Sequence, residues 1–150
     1  MTDKTFGKKT PDVLYEECRG AYLIALERGT LHAAKTSDGI YLLGGKTADG
    51  ETSEDVILRT CLGITGYDAS VEDFVADTDV YGENGTHETR TYFCGTLIEQ
   101  ITSPTDPAYT HVQLSLTDLD RLTLESDRYA VEQSLSMLRA DAHGSDDEDL

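Results

Sequence analysis

The sequence predicts an α+β domain, a mixed β-sheet flanked by helices. Three observations carry this. The candidate elements follow the order β-β-β-α-β-β-β-α. Asn84-Gly85 lies between two long β-rich runs, a strong hairpin signal. The length of 150 residues suits one domain able to bury roughly two thirds of its unfolded surface without disulfide or metal staples. Residues 1–140 are read as that single domain and residues 141–150 as an acidic, disordered tail.

Residues 1–20 are polar, with Phe6 and Tyr15 as the apolar anchors. Residues 21–27, wholly apolar as far as Leu26, predict a buried strand. Arg28-Gly29 turns the chain, and residues 31–35 return antiparallel. Ser37-Asp38-Gly39 is a second turn, residues 40–43 a short buried strand, and residues 44–50 a Gly-rich loop. Ser53 is the expected cap of a helix whose first turn carries Glu54 and Asp55, acids that suit the dipole at that end. Ile57, Cys61 and Ile64 recur at helical spacing until Gly63 or Gly66 ends the helix. Residues 70–80 and 87–100 predict two long strands, residues 103–107 a loop, and residues 109–114 a further strand. The last helix, residues 126–140, aligns Tyr129, Gln133 and Met137 on one line, with Ala130, Leu135 and Leu138 beside it.

Charge excludes some functions. The formal charge is −17, from 29 Asp and Glu against 12 Lys and Arg, so neither a nucleic-acid backbone nor an anionic membrane is expected as partner. Cys18, Cys61 and Cys94 are widely spaced and no CxxC occurs, which supports neither a disulfide framework nor a structural zinc site. The cysteines are read as packing residues. The longest apolar run, residues 21–26, is too short to span a bilayer, and no charged-then-apolar leader precedes it. A reducing, cytoplasmic setting is the expectation.

One constellation carries chemistry. Leu42-Leu43-Gly44-Gly45-Lys46-Thr47-Ala48-Asp49-Gly50-Glu51-Thr52, then Arg59, then Gly66-Tyr67, resembles the Nudix box, with Gly45, Glu51, Arg59, Gly66 and Tyr67 at the matching spacings. Phe6-Gly7, the run from Arg19 to Tyr22 and the run from Glu125 to Gln133 extend the likeness to one branch of bacterial Nudix proteins, over about residues 6–138. The resemblance implies a Nudix-like α/β/α sandwich and hydrolysis of a nucleoside diphosphate linked to another group. It also implies divalent metals held by glutamates on one helical face.

Those glutamate positions are Thr60, Gly63 and Ile64 here, and none is a carboxylate. The further family carboxylate falls on Thr110, and Leu43 replaces the usual Pro before Gly44. No metal or other cofactor is therefore expected. The vestigial box positions Glu51 and Arg59 are expected to clamp loop to helix. Gly44, Gly45, Lys46 and Arg59 are the candidates for contacting a ligand, and the Gly44 carbonyl is a possible family metal ligand. The implied function is an inactive or very weak module that binds a small nucleotide-like ligand or a protein partner. The alternative is an active, magnesium-dependent hydrolase with relocated carboxylates among Glu54, Asp55, Asp77, Asp79 and Glu83. A hairpin cluster of Glu83, His87 and Glu88 is a lesser candidate, with an exposed polar hairpin as its plainer reading, and His32 reads as a satisfied or surface histidine. Lys35, Lys46, Arg59, Arg90 and Arg128 could line an anion pocket, but in so acidic a chain they are expected to be salt-bridged at the surface.

Overall fold

The computed structural model describes the backbone of residues 2–148 and the side chains of residues 2–140. Its strands are β1 (Lys4–Phe6), β2 (Glu16–Glu27), β3 (Thr30–Thr36), β4 (Gly39–Lys46), β5 (Tyr67–Tyr81), β6 (Thr86–Gln100) and β7 (Thr110–Ser115). Its helices are α1 (Ser53–Thr65) and α2 (Glu125–Glu148), with a 3₁₀ turn at Leu116–Arg121. The strands form one mixed sheet in the order β1-β5-β6-β2-β4-β3-β7. β2 pairs in parallel with β6 from Glu16↔Thr86 to Ala25↔Gly95, while β5 and β6 form the antiparallel hairpin that turns at Asn84-Gly85.

Because successive strand residues face opposite ways, the apolar run in β2 serves two cores. Tyr22 and Ile24 pack with Leu42, Tyr92, Ala130 and Val131 beneath α2. Ala21, Leu23 and Ala25 pack with Leu43, Val56, Ile57, Cys61 and Ile64 beneath α1. A mixed sheet with a helix on each face is the α+β class the element order predicts and the α/β/α sandwich the resemblance implies. Burial pushes the Cys61 thiol up to about 12, as for a cysteine used in packing. Among the described residues, no helix is long and apolar enough to cross a membrane.

Several boundaries differ from the sequence reading for identifiable reasons. β1 is an unforeseen edge strand, held parallel to β5 and by an edge-on contact of Phe6 with Tyr129 at 5.7 Å between ring centroids. β2 begins at Glu16 rather than Ala21 because β6 provides a partner along that whole length. Gly44, Gly45 and Lys46 belong to β4, not to a loop, since they pair with Tyr22, Ala21 and Gly20 of β2. Gly44 has φ +143°, and a Cβ there would collide with the Ala21 carbonyl, so only glycine lets the two strands approach. The cap of α1 is Thr52, one residue before Ser53, because Thr52 and Asp55 complete a reciprocal capping box.

On α2 the buried residues include Ser126, Asp127, Ala130, Val131 and Ser134, whereas Tyr129, Gln133 and Met137 are half-buried. Polar partners for Ser126 and Asp127 on the sheet rotate the helix relative to its apolar line. The backbone of α2 continues past residue 140 to Glu148. The disordered tail expected at residues 141–150 lies outside the described side chains, and for residues 149–150 outside the described backbone.

Candidate functional site

The loop between β4 and α1 is organised by one ion pair. Arg59 donates from Nε to Glu51 Oε2 and from Nη2 to Oε1, both at 2.8 Å. Glu51 Oε1 also accepts from the Ala48 amide at 2.8 Å, and Arg59 Nη2 reaches the Lys46 carbonyl at 3.3 Å. This bidentate pair fixes the exit of β4, the loop and the helix in one arrangement. The Arg59 hydrogen bonds, and after them the Ala48 amide, hold the Glu51 carboxyl down at about 2.

A depressed carboxyl contributes stability above its ordinary value of 4.5 and loses it as pH falls through about 2. The clamp should therefore outlast most carboxylates in acid. A carbon-detected titration should place the Glu51 midpoint near 2, and Arg59→Gln should return it towards 4.5. An ordinary midpoint in the wild type would show that the pair is not formed in solution.

Beside this clamp opens a cleft of about 1400 Å³. Its walls come from the end of β4, one face of α1, the turn at residues 36–38 and the segment 105–109. Gly44, Gly45, Lys46 and Arg59 all line it, so the ligand candidates from the sequence are brought together. Glu51 does not line the cleft; it stands behind Arg59. Segment 105–109 is seated by the end of α1, where the Gly63 carbonyl accepts the Thr105 and Asp106 amides at 2.9 and 3.0 Å.

Thr60, Gly63 and Ile64 also line the cleft, and they do not suit a hard cation. The Thr60 hydroxyl is spent on the Val56 carbonyl at 2.7 Å, Gly63 has no side chain, and Ile64 is 2% exposed within the core under α1. Magnesium or calcium needs six or more oxygens. Among the described residues no group of three or more His, Cys, Asp or Glu side chains is placed to hold a metal ion.

The relocated-carboxylate candidates do not converge. Asp55 is occupied in the capping box and Glu54 is an exposed neighbour on the first turn of α1. Asp77 and Asp79 lie on β5, and Glu83 in the following turn; none of the five lines the cleft. Thr110 is exposed at the start of β7, outside the cleft lining.

The hairpin trio of Glu83, His87 and Glu88 is split by strand alternation. His87 faces Glu17 at 2.5 Å and Asp79 at 2.8 Å, with Tyr81 stacked on its ring at 4.3 Å. Burial opposes its charge, but Asp79 and Glu17 outweigh that and raise its pKa. Glu88 points the other way, into the cleft. His32 is buried and satisfied between Glu27 and His111, each at 2.8 Å.

The cations are a correction to the sequence reading. Arg90 is salt-bridged, but in the core rather than at the surface: it is 4% exposed, bonded to Asp127 at 2.9 Å and Glu88 at 2.7 Å, and lies 3.7 Å over the Tyr22 ring. Arg128 is half-buried on the Leu122 carbonyl, and Lys35 is exposed. Among the cleft residues, the sequence reading missed Tyr22, Tyr41 and Tyr109, and it placed Glu88 in the hairpin cluster rather than here. They come from β2, β4, β6 and the entrance to β7, so no local motif connects them.

A mixed sheet between two helices, with a loop–helix clamp at the cleft, defines a Nudix-fold protein. Solved structures bear this out. A Nudix hydrolase from Nitrosomonas europaea superposes with TM-score 0.74 at 13% identity, covering 81% of this chain and 90% of that one. A MutT Nudix hydrolase from Burkholderia pseudomallei gives TM-score 0.65 at 17% identity over 79% of this chain and 98% of that chain. An ADP-ribose pyrophosphatase from Streptococcus suis gives 0.65 at 16% identity over 81% and 92%. No family model matches the sequence, and no curated protein matches it.

Proposed function

We propose that this chain is a Nudix-fold binding module that holds a small nucleotide-like ligand and does not hydrolyse diphosphates by metal-assisted water attack. The observation that carries the reading is the α1 face lining the cleft, where Thr60, Gly63 and Ile64 supply no carboxylate. Metal-assisted phosphoryl chemistry needs cations to neutralise the pyrophosphate and activate the water. This face supplies no donor set for them. What is retained is the architecture: the Glu51–Arg59 clamp, the glycine-lined end of β4 and an open cleft.

The test is release of phosphate or nucleotide from a panel of nucleoside diphosphate compounds, with magnesium and with a chelator, alongside calorimetric magnesium titration. No metal-dependent turnover is expected, and magnesium should bind no better than it does to an acidic surface. Site-specific magnesium binding with turnover would overturn the reading and point to carboxylates recruited from elsewhere.

A further inference from the structure

Two imidazoles meet at one edge of the sheet, and the gap between them holds a single proton. His32 of β3 and His111 of β7, the last strand of the sheet, face each other with His32 Nδ1 2.8 Å from His111 Nε2. Ala34, two residues beyond His32 on the same face, pairs with His111 across the ladder, so the histidines form a diagonal cross-strand contact. Their rings are tilted by 31° with centroids 5.0 Å apart, and Tyr67 meets His111 edge-on at 6.1 Å. On its far side His32 donates from Nε2 to Glu27 at 2.8 Å. His32 is buried and His111 half-buried.

With both rings neutral, Glu27 takes the Nε2 proton of His32, so His32 Nδ1 accepts from His111 Nε2. A first added proton is accommodated, because His32 then donates on both sides, to Glu27 and to His111. A second is not. It would set two charged N–H groups against each other across 2.8 Å. Burial, and after it the charge of His32, hold the His111 pKa below that of an ordinary histidine.

Nothing around His111 offsets that repulsion. Among the described residues it makes no salt bridge to a carboxylate, and Glu27 of β2 is bound to the far nitrogen of His32. From β5 it meets Tyr67, while the neighbouring Asp68 is exposed and accepts from the Ala69 amide. On β7 itself Gln113 shares its face, and the preceding Asp106 accepts from the Ala108 amide. Lys35 of β3 is exposed and belongs to the opposite face. From α1, Leu58, Cys61 and Ile64 fill the cluster around Ala34; Glu54 and Asp55 sit in its first turn, and Arg59 is bonded to Glu51. The 3₁₀ turn after β7 carries Asp118, Asp120 and Arg121, all exposed.

The position of the pair gives it a consequence. Ala108 and Tyr109, just before β7, line the cleft. Their segment, residues 105–109, is held at its start by the Gly63 carbonyl and at its end by β7. We propose that the His32–His111 contact is an acid-released latch on this wall of the cleft: when both rings are charged the contact parts, and the end of segment 105–109 opens with the start of β7 while the rest of the sheet stays folded. The device works whichever molecule the cleft takes.

The sign with pH is fixed. A histidine whose folded pKa lies below its unfolded value contributes stability that is full above that unfolded value, 6.5, and declines as pH falls through it. His87 has the opposite sign, since carboxylates bind both its nitrogens and raise its pKa, so its contacts persist in acid. The test is amide hydrogen exchange of the full chain at pH 7 and pH 5, corrected for intrinsic rates, with a nitrogen-detected titration of the His111 ring. Opening at residues 108–112 should rise at least about fivefold in acid relative to the β2–β6 ladder, and His111 should titrate below 6.5. His111→Phe keeps a ring against Tyr67 and His111→Gln keeps a donor to His32, but neither titrates, so a folded variant of either kind should lose the acid response. A wild-type segment that opens equally at both pH values, or only together with the β2–β6 ladder, overturns the proposal. So does an unchanged acid response in either folded variant, or a His111 midpoint at or above 6.5.

Discussion

Asp127→Ala should be among the most destabilising single substitutions in this protein, costing about 3–5 kcal/mol. Asp127 is fully buried at the start of α2 and gathers three donors from the sheet. Its Oδ1 accepts from Arg90 at 2.9 Å and from the Tyr92 hydroxyl at 2.8 Å, and its Oδ2 accepts from the Leu42 amide at 3.2 Å. Burial opposes the charge on Arg90, and Asp127 heads the partners that together outweigh it and raise its pKa. Alanine would strand that guanidinium, 4% exposed, with Glu88 as its one remaining carboxylate. It would also orphan a backbone amide of β4.

In a chain of this size such a loss lowers the melting temperature by about 6–20 °C. Urea denaturation of wild type and variant measures it. The pair Arg90→Met with Asp127→Leu should recover part of the loss, because the buried guanidinium leaves together with its buried partner, while Glu88 and the Leu42 amide stay without theirs. A cost under about 1 kcal/mol for Asp127→Ala would mean that the network contributes little to joining α2 and the sheet.

The second large effect concerns Ile64, a position where the family resemblance implies a glutamate. Ile64→Glu places a carboxyl in the apolar cluster of Val56, Ile57 and Cys61, at a site 2% exposed. The cost should be several kcal/mol at neutral pH, since the charged form is desolvated without compensation. The sign with pH follows. Burial raises the carboxyl's folded pKa above its unfolded value, so the penalty is small below about pH 4 and grows as pH rises towards the folded pKa. Denaturation at pH 4 and pH 7 should show the variant closest to wild type in acid; an equal deficit at both would assign the loss to shape and not to charge.

Writing all three carboxylates back inherits this penalty. Thr60→Glu with Gly63→Glu avoids it. A Cβ at Gly63 meets only ordinary contacts, Thr105 Oγ1 at 3.8 Å and Asp106 Cβ at 3.9 Å, and replacing a mid-helix glycine favours the helix by about 0.5–1 kcal/mol. That folded double variant should bind magnesium more tightly than wild type. Failure to do so would mean that the cleft's geometry, and not only its donors, no longer suits a cation.

Much of the fold was determined locally, and so the sequence alone expressed it. Ser53–Thr65 repeats apolar residues at helical spacing and ends at Gly66, whose φ of +79° no other residue adopts as easily. Asn84-Gly85 turns a hairpin without reference to anything distant. The spacing of Gly45, Glu51 and Arg59 needs only one loop and two helical turns to bring its charges together. In each case the interacting groups are few residues apart, so little chain entropy separates the pattern from the structure.

What depends on partners far along the chain was not legible. Whether Gly44–Lys46 is loop or strand is decided by β2, and whether residues 16–20 are extended is decided by β6. Arg90 looks like any surface cation until Asp127, 37 residues later, is brought against it at 2.9 Å. The cleft is the extreme case. Glu88, Tyr41 and Tyr109 belong to three different parts of the chain, and only the pairing of β4, β3 and β7 and of β2 with β6 turns them towards a common space. A one-residue slip in any of those registers would face the side chains the other way, so tertiary packing, which fixes register by burying one set of side chains, decided the site.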